Sequence, residues 1–218
     1  MIFVRLFLGT AALFLTAGYG LAAWHPLTRL DFRSHDVLFC LGGFAIFIPL
    51  WFALLRKAAF FSTFEHELTH LIVGILFLKK PAGFSANDKG SGTTVLHGSN
   101  FIITLSPYFL PTFTLILCPA YFVIRPAYHP YYYSVLGFIT SYHILSTVDE
   151  LSLGQPDIRE SGRIFSIVFL MFANLFIYGS LLSLLAGGIP EAWLFLKSGV
   201  INSKSLLFLA IEKAASLR

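Results

Sequence analysis

Charge is what this sequence has least of. Only 12% of its 218 residues are Asp, Glu, Lys or Arg, whereas the surface of a soluble domain needs about a quarter to stay hydrated. A chain this poor in charge cannot coat a globule in water, which excludes an ordinary soluble enzyme. Cysteine is scarce too: Cys40 and Cys118 are the only two. Both fall in apolar runs, where thiols pack as small apolar groups, and their spacing excludes a zinc site built from close cysteine pairs. No run of five basic residues occurs, and the formal charge of +4 comes from fifteen Lys and Arg scattered between hydrophobic segments. Nucleic acid is therefore not an expected partner; juxtamembrane anchoring accounts for the excess. There is no internal repeat and no low-complexity tract.

What is abundant is apolar sequence, 56% of the chain, with a mean hydropathy of +0.77. Several runs approach the roughly 20 residues that a bilayer-spanning helix needs. The expected fold is an all-α integral membrane protein, a single domain over 1–218 formed as a polytopic bundle of about six transmembrane helices. The first run, 1–24, is longer than a signal-peptide core and is followed by further spans, so it reads as a retained span. The second, 37–55, stops at Arg56-Lys57. The third, 60–78, stops at Lys79-Lys80-Pro81, charges followed by a helix breaker. Residues 81–98 differ in kind. They are rich in Gly, Ser, Asn, Asp and Thr, with a β-prone patch at Thr93-Thr94-Val95-Leu96, and predict a β-hairpin-like surface loop. The fourth span, 100–124, contains Pro107, Pro111 and Pro119. Breakers at membrane depth are tolerated where other groups re-satisfy the backbone, so a kinked or re-entrant helix beside a cavity is expected. A fifth span covers 131–151. A turn at Gly154-Gln155-Pro156-Asp157 opens a sixth that ends near 186, and 190–218 reads as an interfacial amphipathic tail.

The third span carries His66-Glu67-Leu68-Thr69-His70. Four residues apart on a helix, the two imidazoles stack on one face and can reach one ion. Glu67 lies about 100° round from His66 and about 60° from His70, beside the ion without being its ligand. This is the zincin pattern of two histidine ligands and a glutamate base acting on a water acidified by zinc. Ionisable groups within a span are costly and default to a functional reading. A catalytic zinc needs a third protein ligand, and Asp149, Glu150 and Asp157 are candidates. Asp149 and Glu150 close the fifth span, where solvated end charges are ordinary. Asp157 follows a proline at the mouth of the sixth, where it could face the bundle or simply cap the helix.

The stretch Phe64-Glu65-His66-Glu67-Leu68-Thr69-His70 resembles the site-2 protease family of intramembrane zinc metalloproteases. So does the glycine-rich hairpin that follows, running into Gly98-Ser99-Asn100 and a proline-bearing span. The resemblance covers about 37–186 and is closest to small bacterial members without a PDZ domain. It implies a third ligand near the start of a later helix, a position that Asp157 in Gln155-Pro156-Asp157-Ile158 matches, and a bacterial inner membrane. The pattern departs from the family in two places. Ile158 stands where glycine usually follows the aspartate, and Thr69 stands where glycine usually precedes the second histidine. A threonine fits a tight helix face by bonding its own backbone.

The expected chemistry is metal-assisted peptide hydrolysis on a membrane-protein or peptide substrate, with Glu67 as catalytic base and Zn2+ held by His66, His70 and Asp157. His143 lies mid-span, as a hydrogen-bonded link between helices or a group near the substrate. Asn100 either holds substrate backbone or caps the fourth helix. The alternatives are an inactive zinc-binding chaperone or regulator and a cation transporter. Transporters tend to show paired repeats, which are absent here. A zincin resembling the CAAX proteases would take Glu150 as its third ligand.

Overall fold

The structure, a computed structural model, describes residues 2–56, 59–87, 90–152 and 154–216. Lys57, expected to help stop the second span, lies outside them. The fold divides into two compact units, 1–31 with 162–218, and 32–161.

The first unit is helical throughout. Helix α1 (Ile2–Arg29) packs against α8 (Arg163–Ser216), a 54-residue run interrupted at Gly187 and Gly188. Gly188 has φ 69°, which glycine adopts without the Cβ clash other residues suffer. The chain reverses there. Phe195 packs against Gly179, sixteen residues earlier, where a straight helix would hold them about 24 Å apart. The returning segment buries Phe195 against Tyr19 and Ala22, and Ser203 fits into the space left by the missing side chain of Gly18. The stretch 190–218, read as an interfacial tail, is thus helical through residue 216 and contributes to a packed core. His25 Nδ1 pairs with Glu191 Oε1 beside the reversal.

The second unit holds the motif. Helix α2 (His35–Leu50) passes into a π-helical turn, Trp51–Leu55, and packs against α6 (His129–Glu150). Two glycines permit that approach. A Cβ on Gly43 would strike the Ser134 carbonyl oxygen, and one on Gly137 would strike that of Cys40, so the backbones meet as small residues allow in membrane helices. Phe47 fills the adjoining space edge-on to Phe138, with ring centroids 4.7 Å apart. Cys40 and Cys118 are free thiols.

Helix α3 (Ala59–Leu76) leads into the hairpin of β1 (Pro81–Ala86) and β2 (Gly92–Leu96), antiparallel with Phe84 opposite Thr94 and Ala86 opposite Gly92. The β-prone patch is therefore a strand. It lies along α3: Thr94 donates to the Glu67 carbonyl at 2.9 Å, and Leu96 occupies the space where Gly74 lacks a side chain. Gly74 thus lets the strand pack closely on the helix. The proline-bearing segment is broken as expected. Helix α4 (Phe101–Leu105) with its 3-10 extension and α5 (Thr112–Leu117) with its own are bent by 87°. A short helix, α7 (Pro156–Ser161), precedes Gly162, whose φ of 95° ends it. Asp157 therefore sits on a separate one-and-a-half-turn helix and not on the first turn of a long span.

Among the described residues, three helices are long and apolar enough to cross a membrane: Phe3–Arg29, His35–Leu55 and Arg163–Ser216. The bent pair would add a fourth. Helices occupy the positions expected for the third and fifth spans, but α3 and α6 do not reach that apolarity. Each carries histidines, acidic residues and several hydroxyl side chains. The count of three or four differs from the expected six for that reason.

Candidate metal centre

Three elements converge on one face of α3. Because α3 is helical through the motif, His66 and His70 lie one turn apart on a shared face, and their Nε2 atoms are 3.2 Å apart. Helix α7 brings Asp157 to them, its Oδ2 at 3.3 Å from His66 Nε2 and 3.5 Å from His70 Nε2. These three residues form a group that could hold a metal ion. Among the three carboxylates weighed from sequence, Asp157 is the one in that group. Burial pushes its carboxyl pKa up, but the hydrogen bonds and charges of His66 and His70 outweigh burial and hold it below the usual carboxylate range. On α7, its side chain is directed at the imidazoles.

The break between α4 and α5 supplies a contact the sequence did not disclose. Tyr108, almost fully buried, donates its hydroxyl to Asp157 Oδ2 at 3.1 Å, and its ring meets His66 edge-on at 5.4 Å. The carboxylate thus receives a neutral donor in addition to the imidazoles, which restrains its rotamer. No spacing rule connects Tyr108 to Asp157, 49 residues away; a polar-tipped ring between two prolines was the only signal.

Asp149 and Glu150, the other two acids, have different partners. Asp149 Oδ1 pairs with Arg56 at 2.8 Å in an exposed ion pair. Glu150 Oε2 lies 3.3 Å from His66 Nδ1, the ring nitrogen that faces away from Asp157. Neither belongs to the donor group.

Asn100 and His143 also receive definite positions. Asn100 Oδ1 accepts from the backbone amides of Ile102 and Ile103 at 2.9 and 3.0 Å, so it caps α4. His143 is buried on α6, with Nδ1 3.2 Å from Glu65 Oε2, and links α6 to α3. Glu65 is itself buried and accepts through Oε1 from the Phe113 amide at 3.2 Å. Thr69 is fully buried, donating to the Glu65 carbonyl at 2.7 Å and meeting the Thr112 hydroxyl. The backbone bond expected of a threonine at this position is present.

A cavity of about 570 Å³ opens on the triad. His66, Glu67, His70 and Asp157 line it together with Gly90, Ser91, Gly92, Thr93 and Thr94 of the hairpin. Glu67 shares the cavity wall but not the donor group. Gly92 lies close against it: a Cβ there would come within 2.6 Å of Glu67 Cγ and 2.7 Å of Thr63 Cγ2. The strand lies flat against the glutamate because position 92 has no side chain. In comparisons with protein-family models, curated proteins and solved structures, nothing matches this chain.

Proposed function

We propose that the protein is a membrane-embedded metallohydrolase. Within that class, we infer a zinc-dependent intramembrane protease of the kind the site-2 protease resemblance implies. The observation that carries this reading is the donor triangle: edges of 3.2, 3.3 and 3.5 Å among His66 Nε2, His70 Nε2 and Asp157 Oδ2. Tetrahedral zinc with bonds of about 2.0–2.1 Å separates neighbouring ligand atoms by about 3.3 Å. Two imidazoles and one carboxylate also form a donor set found at catalytic zinc, where a fourth position stays open.

When bound, zinc would polarise the scissile carbonyl and acidify a water near it. The chain's own residues supply the rest. Glu67, in the cavity but outside the triangle, takes the proton of the attacking water at its carboxylate and returns it to the leaving amine. Asp157 carries the negative charge on the ligand side, held there by the neutral hydroxyl of Tyr108. A helical substrate shields its peptide bonds, so it must be held extended. Among the described residues, one edge of β2 has no strand partner, and residues 90–94 line the cavity. Strand addition to that edge would present an extended backbone to the site.

The test is metal content and cleavage in the detergent-purified wild type. About one zinc per chain is expected, with cleavage of transmembrane peptides abolished by a chelator and restored by zinc. A chain with zinc but no cleavage would fit the chaperone or regulator alternative, and a chain that binds no zinc overturns the proposal. The hairpin carries its own prediction. Gly92→Ala should displace Glu67 or β2 and lower turnover by about 10²-fold, the loss expected from roughly 1 Å of misplacement, with zinc content unchanged. Turnover equal to wild type would show that the hairpin does not set the position of the base.

A further inference from the structure

An imidazole binds an ion through one nitrogen, and the partner of the other nitrogen decides which one that is. For His70 the partner is the Ile103 carbonyl, 2.9 Å from Nδ1. A carbonyl only accepts, so Nδ1 carries the proton and Nε2 is left with its lone pair toward His66 and Asp157. His66 needs an equivalent partner, and no carbonyl of α4 provides one. Glu150 Oε2 occupies that place at 3.3 Å from Nδ1, with side-chain exposure of 29% against 16% for the histidine.

We propose that Glu150 is a positioning residue for the metal centre: its carboxylate accepts the Nδ1 proton of His66 and so directs Nε2 at the ion. This rests on the metal reading given above. The two ring nitrogens point in divergent directions, so a carboxylate on Nδ1 lies on the far edge of the ring from the donor triangle. Glu150 is therefore excluded from the ligand set by the contact that gives it a role. The position of α6 is fixed independently. Seven residues before Glu150, and so on nearly the same helix face, His143 is buried against Glu65, the neighbour of His66. Close packing of Gly43 and Gly137 holds α6 against α2. Gln155 then donates to the Glu150 carbonyl at 3.0 Å, closing the turn that returns the chain to Asp157. One turn of chain thus delivers both carboxylates that grip His66, one on each nitrogen.

The experiment measures zinc affinity by competition with a chromogenic chelator, on the full chain in detergent, for wild type, Glu150→Ala, Glu150→Gln, Asp149→Ala, Asp157→Ala and His66→Ala. The visible spectra of the cobalt-substituted proteins are recorded alongside. Glu150→Ala should weaken zinc by about 10- to 100-fold, the usual cost of losing a partner to a ligating histidine, with the cobalt band intensity of an unchanged ligand number. Glu150→Gln, whose amide oxygen still accepts from Nδ1, should recover most of that loss, and Asp149→Ala should match wild type. Glu150→Ala and Glu150→Gln both within about twofold of wild type would overturn the proposal and leave the metal reading standing. A cobalt spectrum showing a lost ligand in Glu150→Ala, with none lost in Asp157→Ala, would make Glu150 the third ligand and also overturn it. Undiminished zinc binding by His66→Ala would instead overturn the metal reading itself.

Discussion

Glu67→Gln is expected to leave zinc content at the wild-type level while reducing peptide cleavage by about 10²- to 10⁴-fold, the range a positioned general base contributes. The substitution is nearly isosteric, so the close approach of Gly92 to the side-chain stem persists. What is lost is the capacity to accept a proton. Zinc should be unaffected because Glu67 lies outside the donor group of His66, His70 and Asp157. Zinc analysis and cleavage of a transmembrane peptide panel, performed on the same preparation, decide the matter. Loss of zinc in this variant would make Glu67 a ligand, and undiminished cleavage would remove it from the role of base.

Asp157→Ala is expected to weaken zinc binding by roughly 10²- to 10³-fold. Structural zinc sites gain about 10–16 kcal/mol from four ligands, so an even share is about 2.5–4 kcal/mol for each. The substitution also removes the carboxylate that accepts from the buried Tyr108 hydroxyl and leaves the two imidazole Nε2 atoms, already 3.2 Å apart, without Asp157 beside them. Asp149→Ala is the matched control. It removes an exposed ion pair with Arg56, worth at most about 1 kcal/mol, and should leave zinc binding intact. Equilibrium zinc titration of both variants separates the cases: tight binding that survives in Asp157→Ala moves the third ligand elsewhere.

These expectations rest on different kinds of information. His66, Glu67 and His70 were legible in the sequence because a helix converts a spacing of four into a shared face, and that conversion needs only local backbone geometry. The hairpin at 81–98 was legible for a similar reason, since glycines and a β-branched run determine turn and strand within a few residues. The broken fourth segment followed from three prolines. Asp157 was one of three candidate acids by spacing alone, and the family resemblance favoured it over Asp149 and Glu150.

What the sequence by itself determined, then, is the local part: apolar helices, a two-stranded hairpin, a proline break, and a pair of histidines with a glutamate on one helical turn. Local pattern could not choose among the three acids, and tertiary structure brings Asp157 into the donor group that the resemblance pointed to. Asp149, Glu150 and Asp157 sit within nine residues of one another, yet one pairs with Arg56, one meets Nδ1 of His66 and one meets Nε2. Their assignment depends on where α6 ends and how far the turn brings α7 back. That is set by the glycine contacts with α2 and by the buried Glu65–His143 pair, which spans 78 residues. It decided the partner of Tyr108 as well, and the reversal at Gly187 and Gly188 that returns the last helical segment onto α1. Contacts of that separation depend on side chains packed from elements far apart in the chain, and no periodicity encodes them.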